Sequence, residues 1–268
     1  MEKIRVTIWN EFRHEKTVEK VRNIYPGGMH AKIGEYLSQY PGIEVTLAAL
    51  DDPDQGLPDS VLENTDVLIW WGHMAHGEVD DRLVTKIQRR VYMGRMGFIA
   101  LHSAHHSKPF RAIVGTMGNL TWGREQKEIL WNMLPTHPIA EGIPQNFCLE
   151  SEELYAEPFF VPQPNELIFG GWYEDGYIFR SGMTYLRDAG RIFYFQPGHE
   201  SVPTFYNPYV LRIIYNAVRW TAPSTPGYEY KDHCPHVVSA VKFAELEAAG
   251  KTKSNTYITV KDLPAEGK

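Results

Sequence analysis

Seven histidines fall where an α/β chain would place chemistry. His14 and His30, His73 and His76, His102 and His105, and His199 each follow a short apolar run of strand type, so four loops carry imidazoles toward what such a fold makes one sheet edge. Neutral imidazole is the commonest protein ligand for transition metals. Three His, or two His and a carboxylate, build an open catalytic zinc site. Glu11, Glu15, Glu153 and Glu200 are the candidate carboxylate partners. The His-x-x-His spacings at 73/76 and 102/105 could set both rings on one side of a helical turn. Taken singly, each imidazole is expected to cap a helix or bond a backbone carbonyl. Taken together, at least two of His30, His102, His105 and His199 are expected to be functional.

Other residue types give weaker signals. Ser103 stands at a strand-to-helix turn, yet G-x-S-x-G is absent, so N-capping or a bond to a neighbouring His is the expected role. A Walker loop, G-x-G-x-x-G and H-E-x-x-H are also missing, which removes local support for nucleotide binding and zincin chemistry. Glu150, Glu152 and Glu153 lie in one strand; such a run is ordinarily a solvated face, and a general acid or base needs one of them buried at the site. Trp122, Tyr155, Trp172 and Tyr173 can form a sugar-stacking platform or pack loops together. Lys108 and Arg180 can clamp a substrate or form surface ion pairs. His233-Cys234-Pro235-His236 resembles a metal cluster locally, but its place in the tail favours a peripheral role.

The elements that must hold these residues read as α/β. Ile4–Trp9, Val45–Ala49, Asp66–Trp71 and Phe98–Leu101 are expected to be strands of a central parallel sheet, the last ending abruptly at His102. Helical spacing joins Met29, Ile33, Tyr36, Leu37 and Tyr40, and again Leu83, Val84, Ile87 and Val91. Ser107 suits an N-cap ahead of Pro109, and Asn207 with Pro208 suits the start of a helix to Trp220. After Gly115 the pattern becomes irregular, with a helix expected from Arg124 to Leu130. Strands are then expected at Phe147–Tyr155, Glu166–Trp172, Tyr177–Arg180 and Arg191–Phe195. The second and third of these should run antiparallel across Glu174-Asp-Gly176.

The bulk numbers narrow the partners. With 43% hydrophobic and 22% charged residues the chain has a globular composition. Its net charge of −6, without a basic block, argues against nucleic acid or an anionic membrane surface. Two cysteines, Cys148 and Cys234, make no CxxC and point to a reducing cytoplasm. Met1-Glu-Lys running into a strand leaves no room for a signal peptide, and no apolar run reaches a membrane span. Residues 1–222 are expected to form one domain. Residues 223–268 are expected to be an extension packed on it or on a neighbouring subunit of a homo-oligomer.

With these residues in place, the chain resembles the ThuA family, proteins associated with trehalose utilisation. The matching segments are Ile4–His14, Tyr25–His30, Asp66–His76, Leu101–Lys108, His137-Pro-Ile139, Glu152-Glu-Leu-Tyr-Ala-Glu157, Arg180-Ser-Gly182, Arg191–Glu200 and Asn216–Trp220. The resemblance implies a doubly wound, flavodoxin-like, mostly parallel sheet similar to class I glutamine amidotransferases, with an irregular or antiparallel C-terminal portion. In that order the first and central strands are expected to be neighbours. Those enzymes carry a Cys nucleophile after the central strand; here the turn reads Leu101-His102-Ser103, which implies loss of glutamine hydrolysis. Gly198-His199-Glu200 falls where their late His lies.

The family's link, with a partner dehydrogenase, to a pathway through 3-keto derivatives of trehalose implies a sugar or keto-sugar ligand. Three functions stay open: a metal-assisted enzyme on such a sugar, a Ser103/His199 hydrolase or amide-transfer relic, and a sugar-binding accessory subunit of a dehydrogenase. The expected catalytic residues are His102, Ser103, Glu153, His199 and Glu200, and the expected substrate contacts are Lys108, Trp122, Tyr155 and Arg180. A divalent metal, zinc by its donor set, is expected on His30, His105 and His199, with His14 and His102 as substitutes.

Overall fold

Strands rich in β-branched and aromatic residues set the frame of the computed structural model, which describes residues 3–223 together with Glu245 and residues 248–250. Strands β1 (Ile4–Asn10), β2 (Ile43–Ala49), β3 (Val67–Trp71) and β4 (Gly97–Leu101) are parallel, and β3 and β4 are buried at every position. The rest of the sheet comprises β5 (Thr121–Asn132), β6 (Asn146–Ala156), β7 (Glu166–Tyr173), β8 (Ile178–Arg187) and β9 (Gly190–Phe195). The nine strands form one sheet in the order β2-β1-β3-β4-β9-β8-β7-β5-β6. β9 joins its halves, parallel to β4 on one side and antiparallel to β8 on the other.

Alternation along the strands feeds two cores. Trp9, Leu68, Trp70, Phe98, Ala100, Ile192 and Tyr194 point to one face. Val6, Ile8, Ile69, Trp71, Ile99, Leu101, Phe193 and Phe195 point to the other. Helices close both. After the short α1 (His14–Thr17) and α2 (Glu19–Ile24), α3 (Met29–Leu37) packs on the second face. Then α4 (Asp59–Leu62), α5 (Asp81–Tyr92) and α6 (Lys108–Val114) cover the first, and α7 (Pro208–Thr221) returns to the second. Trp9 and Trp70, partners in register on neighbouring strands, stack with ring centroids 3.7 Å apart and planes at 14°. The expected caps are present: Ser107 accepts the Phe110 N–H, and Asn207 accepts those of Tyr209 and Val210.

Three expectations need correction. The first and central strands are not neighbours, because β3 lies between β1 and β4. The segment Arg124–Leu130 is not helical but belongs to β5, whose pairing with β6 on one side and β7 on the other overrides a local run of helix-forming Glu, Gln and Lys. The strand expected to stop at Arg180 continues through β8 to Arg187.

The chain divides into two units, residues 1–229 and 230–268. The extension expected beyond residue 222, with His233-Cys234-Pro235-His236, falls outside the described residues apart from Pro223, Glu245 and residues 248–250. Among the described residues no helix is long and apolar enough to cross a membrane.

Candidate functional site

Leu101 ends β4, and the chain turns at once into a 3-10 segment, His102–His106. His102 makes that turn with φ of +51°, the left-handed region an L residue seldom adopts. The facing loop lets it close: Gly198, also at positive φ, sits where a Cβ would meet the Phe205 ring and approach His102 Cβ. His102 is fully buried. Its Nδ1 donates to the Gln196 carbonyl (2.9 Å), its Nε2 lies 3.0 Å from Glu153 Oε2, and its ring stacks on Tyr155 (centroids 4.9 Å). Burial alone would lower its pKa. The hydrogen bond and charge of Glu153, with Glu152 and Glu200 behind, overcome that and raise it to about 9.

The partner carboxylates come from β6. Register shifts in the β5–β6 pairing flank this stretch, and such bulges re-aim side chains. Glu152 and Glu153, adjacent in sequence, consequently both serve the site. Glu153 closes on His102, and the Gln196 amide donates to its carbonyl (3.2 Å). Burial would raise the Glu153 pKa, but His102, His199 and His73 hold it low. Further along β5, Glu128 is buried against Ser181 (3.0 Å); burial and the nearby Glu152 push its pKa up to about 8.

Around this pair the loops deliver more imidazoles. His199 Nδ1 lies 3.1 Å from Glu200 Oε2 and 3.6 Å from Glu153 Oε2, and His14 Nε2 lies 3.5 Å from Glu200 Oε1. The His73 ring is 4.9 Å from His14 and 6.4 Å from both His102 and His199. Burial would raise the Glu200 carboxyl, but His199, His73 and His102 hold it far below the usual range. Three overlapping triads result: His14/His73/Glu200, His73/Glu153/His199 and His102/His199/Glu200. Within each, the donor atoms lie within 4.8 Å of one another. His14 Nδ1, His199 Nδ1 and Glu200 Oε2 are buried without a hydrogen-bond partner; the last two face each other but are poorly aligned for a bond. An imidazole–carboxylate donor set with orphaned ligand atoms fits a divalent cation of the zinc class.

Beside the cluster opens a cavity of about 370 Å³, within the range of small-molecule sites. His73, Ser103, Glu153 and Tyr155 contribute to its lining, with His76, His105, His106 and Asn119; Trp122, 70% exposed, belongs to it as well.

The ligand set expected from sequence is not the one assembled. His30 does sit in the first turn of α3, but its Nδ1 takes a bond from the Asn10 amide (3.1 Å) and its ring meets Phe12 edge-on. Burial lowers its pKa to about 4. His105 is held through Nδ1 on the Gly118 carbonyl (2.6 Å). Neither belongs to a triad, whereas His199 and both substitutes, His14 and His102, do. The reason is strand order. With β3 between β1 and β4, its loop occupies the ground expected for His30, and His73 stands there.

Two expected substrate contacts are engaged elsewhere. Lys108 Nζ bonds the Val79 carbonyl and pairs with Asp81, both at 2.7 Å. Arg180 grips Glu157 with two nitrogens, at 2.7 and 2.9 Å, and bonds the Phe159 carbonyl. The Ser103 hydroxyl donates to the Gly72 carbonyl (2.8 Å) rather than to an imidazole. Sequence reasoning left His73 out of the ligand set and did not single out Glu152. The signal for His73 was present, an apolar strand stopping at Gly72 just before it.

A family model described as ThuA, trehalose utilisation, matches residues 5–221. The fold is similar to that of a ThuA-like protein from Parabacteroides merdae, with TM-score 0.59 and 15% identity over 87% of this chain and 94% of that one. A ThuA-like protein from Bacteroides uniformis is similar at TM-score 0.58 and 14% identity, covering 82% and 91%. A cytoplasmic protein from Salmonella typhimurium is similar at TM-score 0.56 and 9% identity, covering 81% and 99%. No curated protein matches the sequence.

Proposed function

The chain belongs to the ThuA, trehalose utilisation, family, and on that premise we propose that it is a metal-assisted enzyme acting on a sugar or 3-keto-sugar at the carboxyl edge of its sheet. The observation that carries the reading is the convergence of four imidazoles and two carboxylates, three of whose buried donor atoms lack partners. His14, His73, His199 and Glu200 would hold the cation. When bound, it supplies Lewis acidity to a carbonyl or a water.

The rest of the chemistry belongs to side chains. Glu153 is the carboxylate that lines the cavity, and its lowered pKa keeps it ionised, the form in which a general base starts. His102 orients it: tied to the Gln196 carbonyl and carrying its proton to about pH 9, it holds one Glu153 oxygen in place. Exposed Trp122 offers a flat apolar surface to a sugar ring, and Asn119 with the His76 and His106 imidazoles offers hydrogen bonds to hydroxyls. A Ser103 nucleophile is disfavoured because its proton is committed to Gly72. Glutamine hydrolysis has no Cys at the turn.

The test is elemental analysis of protein purified without added metal, followed by NMR of the protein incubated with 3-keto-trehalose. Zinc or another divalent ion should be present, His73→Ala should lose it, and Glu153→Gln should keep it while abolishing turnover. Protein that binds no divalent ion from a metal buffer contradicts the reading.

A further inference from the structure

Two buried carboxylates lie behind the site and take no part in lining the cavity. Glu11, just beyond β1, accepts three successive backbone N–H groups: His73 at 2.8 Å, Met74 at 3.0 Å and Ala75 at 2.8 Å. Glu152, on β6, accepts the N–H groups of Gly198 and His199, both at 3.0 Å, the Thr204 hydroxyl at 2.6 Å and the Glu153 N–H at 3.1 Å. A carboxylate has about four lone-pair sites, so Glu152 is saturated and Glu11 nearly so. Glu11 accepts all three of its bonds from the backbone that presents His73, and Glu152 accepts two of its four from the backbone that presents His199.

We infer that Glu11 and Glu152 are positioning residues that fix the loops from which His73 and His199 reach a cation, an inference that rests on the cation-binding reading of the site. The chemistry is specific to the carboxylate. Changing either Glu to Gln preserves volume but turns one acceptor into an N–H₂ donor facing backbone N–H groups. The loop must then shift, and a ligand set tolerates only a fraction of an ångström. Loss of such an outer partner typically weakens metal binding by about 10- to 100-fold. Glu128 provides the control, being equally buried but bonded to Ser181 on β8.

The experiment is Co²⁺ titration of the full chain, read by the visible absorption of the bound ion. Alongside it, imidazole ¹³Cε1–¹H spectra of the metal-free protein report on each ring. Glu11→Gln and Glu152→Gln should each weaken Co²⁺ binding by about 10- to 100-fold, while Glu128→Gln leaves it unchanged. Without metal, Glu11→Gln should broaden or split the His73 ring signal and spare His199; Glu152→Gln should do the reverse. Wild-type Co²⁺ affinity in both variants, or ring signals unmoved in both, overturns the inference. If the wild-type protein itself binds no Co²⁺, the cation reading falls, and the crossed pattern of ring signals alone decides the positioning. Should a Gln variant fail to fold, Glu11→Asp and Glu152→Asp are measured in the same way.

Discussion

His102 shows what a single position can hide. Its place after a buried strand was legible, because an apolar run stopping at a polar residue marks a strand end. Its positive φ was not, since nothing in a histidine codes for the left-handed region that the Gly198 loop makes room for. The neighbouring acids teach the same lesson. Glu150, Glu152 and Glu153 read as a solvated strand face, yet Glu152 is buried and Glu153 closes on an imidazole, because a bulge breaks the alternation. Glu128, buried two strands from β8, makes a prediction at this scale. Its carboxyl titrates at about 8 in the folded chain against an ordinary 4.5. Between those values the folded state keeps a proton that the unfolded state has released. Its contribution therefore makes stability fall as pH rises from about 4.5 to 8. Denaturant unfolding at pH 5.5, 7 and 8.5 should show Glu128→Gln gaining on wild type at each step upward. A difference that stays constant with pH would mean that Glu128 is ionised in the fold.

Elements with strong local patterns were the readable ones. β1, β3, β4, α5 and the caps of α6 and α7 follow from β-branched runs, helical spacing and Ser or Asn ahead of Pro. β5 was not readable, because its residues prefer helix and only its two neighbouring strands make it extended. Strand order was equally hidden. It depends on which helix covers which face, and the error about β1 and β4 carried directly into the choice of His30 over His73. Packing between elements supplies the next prediction. Gly97 opens β4 against the end of α7, where an added Cβ would run into the Thr221 carbonyl. Gly97→Ala must therefore push α7 away or bend β4, overpacking that costs about 1–3 kcal/mol. Urea unfolding reads the cost, and a loss below about 0.5 kcal/mol, the range of neutral surface changes, would mean that α7 yields freely at this point.

Across the whole molecule, the site belongs to both halves of the sheet. His73 and His102 follow parallel strands, His199 follows the strand that joins the halves, and Glu153 comes from β6 at the far edge, which the twist of the antiparallel half brings back over Gln196. A cation held by such distant segments binds only the folded chain, so it must raise the unfolding temperature. At a free concentration 100 times its dissociation constant the gain is about 2.7 kcal/mol. Zinc should raise the melting temperature of chelator-treated protein, and His73→Ala should erase the rise. An unchanged melting temperature in wild type would contradict a cation at this site. The stacked pair Trp9 and Trp70 has a separate consequence. Two indoles in near-parallel contact across neighbouring strands share their electronic excitation, so their transitions split into a pair of circular-dichroism bands of opposite sign. That couplet exists only while β1 and β3 are in register, so it gives the parallel half an optical signal of its own. Replacing either tryptophan with phenylalanine should extinguish it.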